Sequence, residues 1–306
     1  MTALRRHLQD YLTLRRALGY RLAREGMLLP AFITFLEAHR SPHITTAAAL
    51  AWATQPVDAT PSWIAKRLTM VRGWARYLSA LDPRTEIPPV DLVPARTVRP
   101  HPYLYSDADV RALLQACTQL RAPLKRATYT TLFGLLAVTG LRVGEAIGLD
   151  RADVLTDPGY LLIRHAKFNK SREVPLHATT VAALQAYART RDRRWPHPPH
   201  PSFFLSQTGR RLLVQNVWQT FARLRRVAGL PSHPRAPRIH DLRHSFAMQT
   251  LLRWSHEGVE IQPRMPLLST YLGHVHPSMT YWYLTATPEL LERAAERGQR
   301  QRGATS

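Results

Sequence analysis

The chain has 306 residues, 45% of them hydrophobic, enough for two ordinary domains with cores of their own. Lysine and arginine number 42 against 21 acidic residues, a formal charge of +21 spread along the sequence, which points to a polyanionic partner and leaves the reaction to motifs. A single cysteine, Cys117, excludes an intramolecular disulfide and a cysteine-rich zinc site; the charged start MTALRRHLQDY and the lack of a long apolar run leave no export signal or membrane span, so a reducing cytoplasm is expected.

From Leu4 to Leu18 the apolar positions Leu4, Leu8, Tyr11, Leu12 and Leu18 recur at helical spacing, with Arg5, Arg6, Arg15 and Arg16 on other faces, which predicts an amphipathic helix. MLLPAFITFLEAHR predicts a second helix and TTAAALAWATQ a third, capped by Thr45 or Thr46. The fourth, TPSWIAKRLTMVRGWARYLSAL, starts with Thr60 as N-cap and Pro61 at the first helical position, and buries a stripe of Ile64, Leu68, Val71, Ala75 and Leu78. Lys66, Arg67, Arg72 and Arg76 fill its remaining surface and are expected to track phosphates. Pro83, Pro88, Pro89, Pro94, Pro100 and Pro102 then predict a semi-rigid linker.

Beyond the linker, SDADVRALLQAC opens with a capping box from Ser106 to Asp109, RATYTTLFGLLAVTG is an apolar helix closed by Gly140, and LRVGEAIGL opens another. After the turn Asp157-Pro158-Gly159, YLLIRHA and REVPL read as antiparallel strands joined by KFNKS, a hairpin with a basic tip. Two further helices, HATTVAALQAYARTR and VQNVWQTFARLRRVAGL, flank the loop RRWPHPPHPS, whose His197 and His200 lack the companions of a metal site. The pattern predicts a mainly α chain with a small antiparallel β-sheet: a helical domain over 1–82, a linker over 83–102, a mixed domain over 103–287 and a tail over 288–306.

Three stretches concentrate groups suited to phosphoryl chemistry: TGLRVGEAIGL, RIHDLRHSFA and LGHVHPSMTYWYL. Arg142 and Arg243 are permanently charged planar forks that match phosphate, and Arg142 adjoins a predicted helix start whose free N–H groups favour an anion. Taken singly, each fits a salt bridge to Glu145 or Asp241 as well. His240 and His244, four apart, would make a two-histidine metal face, but HDLRH lacks the glutamate of the metalloprotease motif and no third ligand is evident. Tyr281 and Tyr283 lie about 200° apart on a helix, so both cannot face one phosphate, and periodicity does not choose between them.

In this order, with the hairpin tip HAKFNKSREVPL between the first two, the stretches resemble the tyrosine recombinase (phage integrase) family over nearly the whole chain. The resemblance implies a helical core-binding (SAM-like) domain over 1–82 and an α+β catalytic domain over 103–287, closed on double-stranded DNA. It implies a catalytic set of Arg142, Lys167 in the hairpin, His240 and Arg243 of His-x-x-Arg, His274 of Leu-Gly-His, and Tyr283, nine residues after that histidine. On this reading the arginines stabilise charge on the non-bridging oxygens. His240 is the base for a phenol that is only about 0.1% ionised at an ordinary pKa near 10. Lys167 protonates the leaving 5′ oxygen, His274 donates to the phosphate, and Glu145 orients Arg142.

Lys170 is the alternative acid and, with Arg172, an expected DNA contact alongside Lys66, Arg67, Arg72 and Arg76. The implied reaction is site-specific strand exchange through a 3′-phosphotyrosine, with no metal, ATP or other cofactor. Its agent would be a tetramer on two DNA sites, docked through Leu290, Leu291, Ala294 and Ala295 of the tail, or a set with related recombinases. Because the chain opens directly on helical segments, simple-site recombination is expected. A type IB topoisomerase-like relaxing enzyme and a non-catalytic DNA-binding helper stay open as alternatives. RWSHEGVEIQPRMP exceeds the family's usual turn before Leu-Gly-His, so a long loop is expected there.

Overall fold

A computed structural model describes residues 2–94, 102–164, 171–231, 236–274, 276 and 278–285. The chain divides into two units, residues 1–100 and 101–306, each built on its own core. The described part of the first unit is helical: α1 (Ala3–Ala17), α2 (Ala23–Ala38), α3 (Thr46–Thr54) and α4 (Pro61–Leu78). Thr45 caps α3 by accepting from the Ala48 amide at 3.1 Å, and Thr60 caps α4 by accepting from Trp63 at 3.3 Å. Phe32 sits at the centre of this core, tilted against Trp52 and edge-on to Trp74.

Two of the four cations expected to face phosphate on α4 do not. Arg67 is buried; its guanidinium lies 3.8 Å over the Trp52 ring and donates to the Trp52 carbonyl at 2.7 Å. Arg72 is also buried and donates to the Pro88 and Pro89 carbonyls at 2.7 and 2.6 Å. Each is next in sequence to a stripe residue, Leu68 or Val71, so its long stem runs along the core edge and its head finds backbone oxygen. Lys66 and Arg76 are exposed.

The same contacts redraw the linker, because residues 83–94 belong to the helical unit. The Glu86 amide donates to the Ile44 carbonyl at 2.8 Å, its carboxylate accepts from the amide of Thr46 at the start of α3 at 2.7 Å, and Leu92 and Val93 pack on the first core. Proline stiffens this covering and keeps a carbonyl for Arg72 to bind.

The second unit runs α5 (Asp107–Ala116), α6 (Pro123–Thr139), α7 (Val143–Gly148), β1 (Val154–Leu155), β2 (Tyr160–Ile163), β3 (Arg172–Pro175), α8 (Ala178–Arg194), α9 (Val214–Val227), α10 (Asp241–His256), α11 (Ile261–Leu272) and α12 (Ser278–Thr285). The Ser106–Asp109 capping box closes with bonds of 3.1 and 2.9 Å. The sheet is antiparallel in the order β1-β2-β3, with Leu161 opposite Val174 and Ile163 opposite Arg172; β1, two residues long, is an addition to the expected hairpin. Lys167 and Lys170, in the hairpin tip, and the tail leucines and alanines lie outside the described residues.

The expected long loop before Leu-Gly-His is mostly helix: α10 continues to His256, and α11 begins at Ile261, leaving residues 257–260 as the turn. Pro263 falls in the first turn of α11, where the missing amide has no intrahelical partner to lose. Among the described residues no helix is long and apolar enough to cross a membrane.

Arg72→Ala strands two proline carbonyls and should destabilise the protein by about 2 kcal/mol in urea unfolding, with faster trypsin cleavage after Arg84. Lys66→Ala should stay within about 0.5 kcal/mol of the parent.

Candidate active site

The site is built on two helices that end in left-handed glycine. α6 ends at Gly140 with φ 62°, where a Cβ would stand 2.6 Å from Cδ1 of Phe246. α11 ends at Gly273 with φ 66°, where a Cβ would stand 2.7 Å from Nη1 of Arg172. Only glycine meets both demands at either place. At the second end the Gly273 amide donates to Thr270 and the His274 amide to Ser269, both at 2.9 Å, the bond pair of a Schellman end that fixes the backbone of His274.

Carbonyls at a helix C-terminus have no intrahelical donor and carry the negative end of the dipole, so they attract cations. Arg243, 2% exposed on α10, donates Nη1 to the Gly140 carbonyl at 2.8 Å and Nη2 to the Leu272 carbonyl at 2.7 Å, bridging the two helix ends. Arg142, the residue before α7, donates Nη2 to the Gly273 carbonyl at 3.1 Å and Nη1 to Glu145 Oε1 at 2.8 Å. Glu145 Oε2 accepts the Arg142 amide at 3.0 Å. Arg172, from β3, donates Nε to the Tyr271 carbonyl at 2.9 Å and Nη2 to Glu145 Oε2 at 2.9 Å.

The charges converge with little water to separate them. Burial pushes the Glu145 carboxyl up, but the Arg172 hydrogen bond and charge, with the Arg142 contacts, more than reverse this and hold it below the usual carboxylate range. Burial, then the charge of Arg142, brings Arg243 down to about 10, still charged at neutral pH. Burial and the same arginines push His274 down to about 3; burial and then His240 push His244 down to about 4. His240 keeps a solvent-exposed edge at the start of α10, yet the protein around its ring, then Arg243, lowers it too.

α10 is held in place by a buried anchor. Asp241 accepts from the Arg238 amide and Nη2, both at 2.8 Å, and the Ser245 hydroxyl accepts the Tyr105 amide at 2.8 Å. Tyr283, on α12, is 2% exposed in a small cluster with Met248, Leu251, Leu268 and Leu272, whereas Tyr281 is 39% exposed. The Tyr283 hydroxyl lies 3.0 Å from His244 Nδ1, and its ring lies parallel to that of His274 with centroids 6.3 Å apart. His274 Nδ1 in turn meets the buried Thr280 hydroxyl at 2.7 Å.

Of the six residues read from the sequence as catalytic, Arg142, His240, Arg243, His274 and Tyr283 gather at these helix ends, and Lys167 is outside the described residues. Arg172, expected on DNA, instead clamps Glu145; it shares a strand face with buried Val174, and that alternation was the available signal that it points inward. His244, weighed only as half of a metal pair, meets Tyr283. Among the described residues no group of three His, Cys, Asp or Glu is placed to hold a metal ion.

The profile described as "Phage integrase family" matches residues 104–289. The chain is 47% identical over 98% of its length, and 98% of the relative's, to "Putative integrase/recombinase y4rB" of Sinorhizobium fredii. It is 32% identical to "Tyrosine recombinase XerA" of Thermococcus kodakarensis over 68% of this chain and 67% of that one. Its fold is similar to that of a Tn1549 transposon integrase in complex with transposon right end DNA, with TM-score 0.68 and 17% identity over 98% of this chain and 99% of that one. It is also similar in fold to XerH recombinase bound to a palindromic difH substrate, with TM-score 0.63 and 20% identity over 82% of this chain and 72% of that one.

Gly273→Ala forces a left-handed alanine against Arg172 and should cost about 1–3 kcal/mol. Combined with Arg172→Ala the two losses should be less than additive in a double-mutant cycle, because the second change removes the clash. Stability should also depend on acid through His244 and His274. Both bind protons more weakly in the folded chain, so their contribution is complete above the unfolded value near 6.5 and falls away as pH drops toward 4 and then 3. Unfolding midpoints measured from pH 7 to 3 should show that decline, and His244→Asn should flatten its upper part.

Proposed function

The chain belongs to the phage integrase family of tyrosine recombinases, and from that membership we propose how its own residues divide the work of cutting and rejoining DNA at specific sites. Arg142 and Arg243 bind the non-bridging oxygens of the scissile phosphate, each with guanidinium donors beyond those given to the helix-end carbonyls. His274 donates to the same phosphate. The Tyr283 phenol attacks phosphorus to form a 3′-phosphotyrosine and release a 5′-hydroxyl, and a 5′-hydroxyl from a partner duplex reverses the step. His240 lies at the rim, placed by the resemblance as the base, and Lys167 protonates the leaving oxygen.

The observation that carries this reading is the convergence of Arg142, Arg243, His274 and Tyr283 on two glycine-ended helices. Fixed cationic donors held before the substrate arrives are what charge development on a phosphate demands, since they need no reorganisation during the step. Exposed Lys66 and Arg76 are the proposed DNA contacts of the helical unit. The assembly proposed for strand exchange is a tetramer on two DNA sites, with the tail docking on a neighbouring copy.

Covalent capture on a pool of random-sequence nicked duplexes tests the nucleophile whatever the target sequence is. Tyr283→Phe should lose all denaturant-resistant adduct while binding DNA as the parent does, and Tyr281→Phe should retain it. Adduct formed by Tyr283→Phe would refute the assignment. With the captured sequence placed on two plasmids, deletion after Thr287 should abolish recombination and spare single-site binding; recombination by the truncated chain would remove the tail from the assembly.

A further inference from the structure

His244 Nδ1 stands 3.0 Å from the Tyr283 hydroxyl, within hydrogen-bond distance. It follows Arg243 directly on α10 and stands one turn beyond His240, with the two imidazoles perpendicular and 4.9 Å apart. The Tyr283 ring is locked by packing in the α10–α11–α12 cluster, so the freedom left to the phenol is rotation of its hydroxyl. One acceptor at 3.0 Å is enough to set that rotor.

We propose that His244, in place of the His240 that the resemblance makes the base, is a catalytic residue of strand cleavage: its Nδ1 receives the hydrogen bond of the Tyr283 phenol, directs the nucleophilic lone pair, and takes the proton as the bond to phosphorus forms. This rests on Tyr283 being the nucleophile. Burial and the neighbouring His240 hold the His244 ring neutral at physiological pH, as an acceptor must be. A ring near 4 is far too weak a base to ionise an ordinary phenol near 10 in advance, a gap of about six units. The transfer is therefore coupled to attack. As the Oη–P bond forms, the proton moves from Oη to Nδ1; the P–O5′ bond breaks with its electron pair on the 5′ oxygen, which takes a proton from a separate donor. On rejoining, the imidazolium returns its proton to the departing tyrosine oxygen, so no proton is gained or lost over the cycle.

The remaining contacts of the ring fit this task. Trp282 lies edge-on to the His244 ring, with centroids 5.7 Å apart, and so places aromatic surface beside it. Asparagine carries its amide oxygen near the position of Nδ1 but cannot be protonated there, whereas alanine offers no acceptor at all, and the two substitutions therefore separate alignment of the phenol from proton transfer.

Single-turnover cleavage by the full chain, on a nicked duplex recovered by covalent capture with the parent protein, is the test. His244→Ala should cleave about 100-fold more slowly, with DNA affinity changed by no more than about twofold, and His244→Asn, which accepts a hydrogen bond but cannot take the proton, should stay at least about 10-fold below the parent; a parental rate in His244→Asn would overturn the proton transfer. The defect of His244→Ala should persist on a duplex with a 5′-bridging phosphorothiolate, whose sulfur leaves without a proton. Parental or faster cleavage by His244→Ala would overturn the proposal and leave Tyr283 as nucleophile. Rescue by the phosphorothiolate would also overturn it, by assigning His244 to the leaving group. Adduct formed by Tyr283→Phe would overturn this proposal and the nucleophile assignment together. If His244→Ala loses its circular dichroism signature, a parental rate in folded His244→Ser overturns the proposal equally, and a rate as low as that expected for alanine supports it.

Discussion

Helix C-termini that hold arginines are the constraint on which the catalytic unit depends. Gly140 and Gly273 each turn the chain left-handed where a helix stops, and the carbonyls so exposed are taken by Arg243, Arg142 and Arg172. Arg243 reaches both ends, so α6 and α11 are joined through one guanidinium that is itself on α10. Cationic donors, the His274 backbone and the helix behind Tyr283 are thereby referred to a common frame.

Three guanidiniums held this closely repel one another, and the arrangement persists because each is hydrogen-bonded to backbone oxygen and because Glu145 lies between two of them. Glu145 neutralises only part of the charge, which leaves the centre net positive before a phosphate enters. On the proposed reading a phosphate would meet donors whose directions are already set, while the carbonyls keep the arginines from collapsing onto the carboxylate. The low proton affinity of His274 follows from burial and then from this surplus, and that of His244 from burial and then from its neighbour His240.

The helical periods, the capping residues Thr60 and Ser106, the choice of Thr45 or Thr46 for α3 and the hairpin were legible from local spacing, and the arginine–histidine–tyrosine set from the ordered motifs of the family resemblance. What escaped it depends on distant partners. Arg67 and Arg72 look like solvated cations until Trp52 and the Pro88–Pro89 carbonyls are brought to them from elsewhere in the chain. Arg172 looks like a phosphate contact until α7 supplies Glu145, although its place on the buried face of β3 gave a hint. The choice between Tyr281 and Tyr283 needed the spacing from His274, since two aromatic residues beside Trp282 fit a buried face equally well; in the folded chain Tyr283 is the one packed against the site.

The most direct measurement is the chemical identity of the protein–DNA bond. Tandem mass spectrometry of a trapped adduct, digested with protease and trimmed with nuclease, should place the residual nucleotide on the Tyr283 oxygen through its 3′-phosphate. A nucleotide on Tyr281, on any residue outside α12, or joined through a 5′-phosphate would contradict the assignment of these helix ends as the cradle of the reacting phosphate.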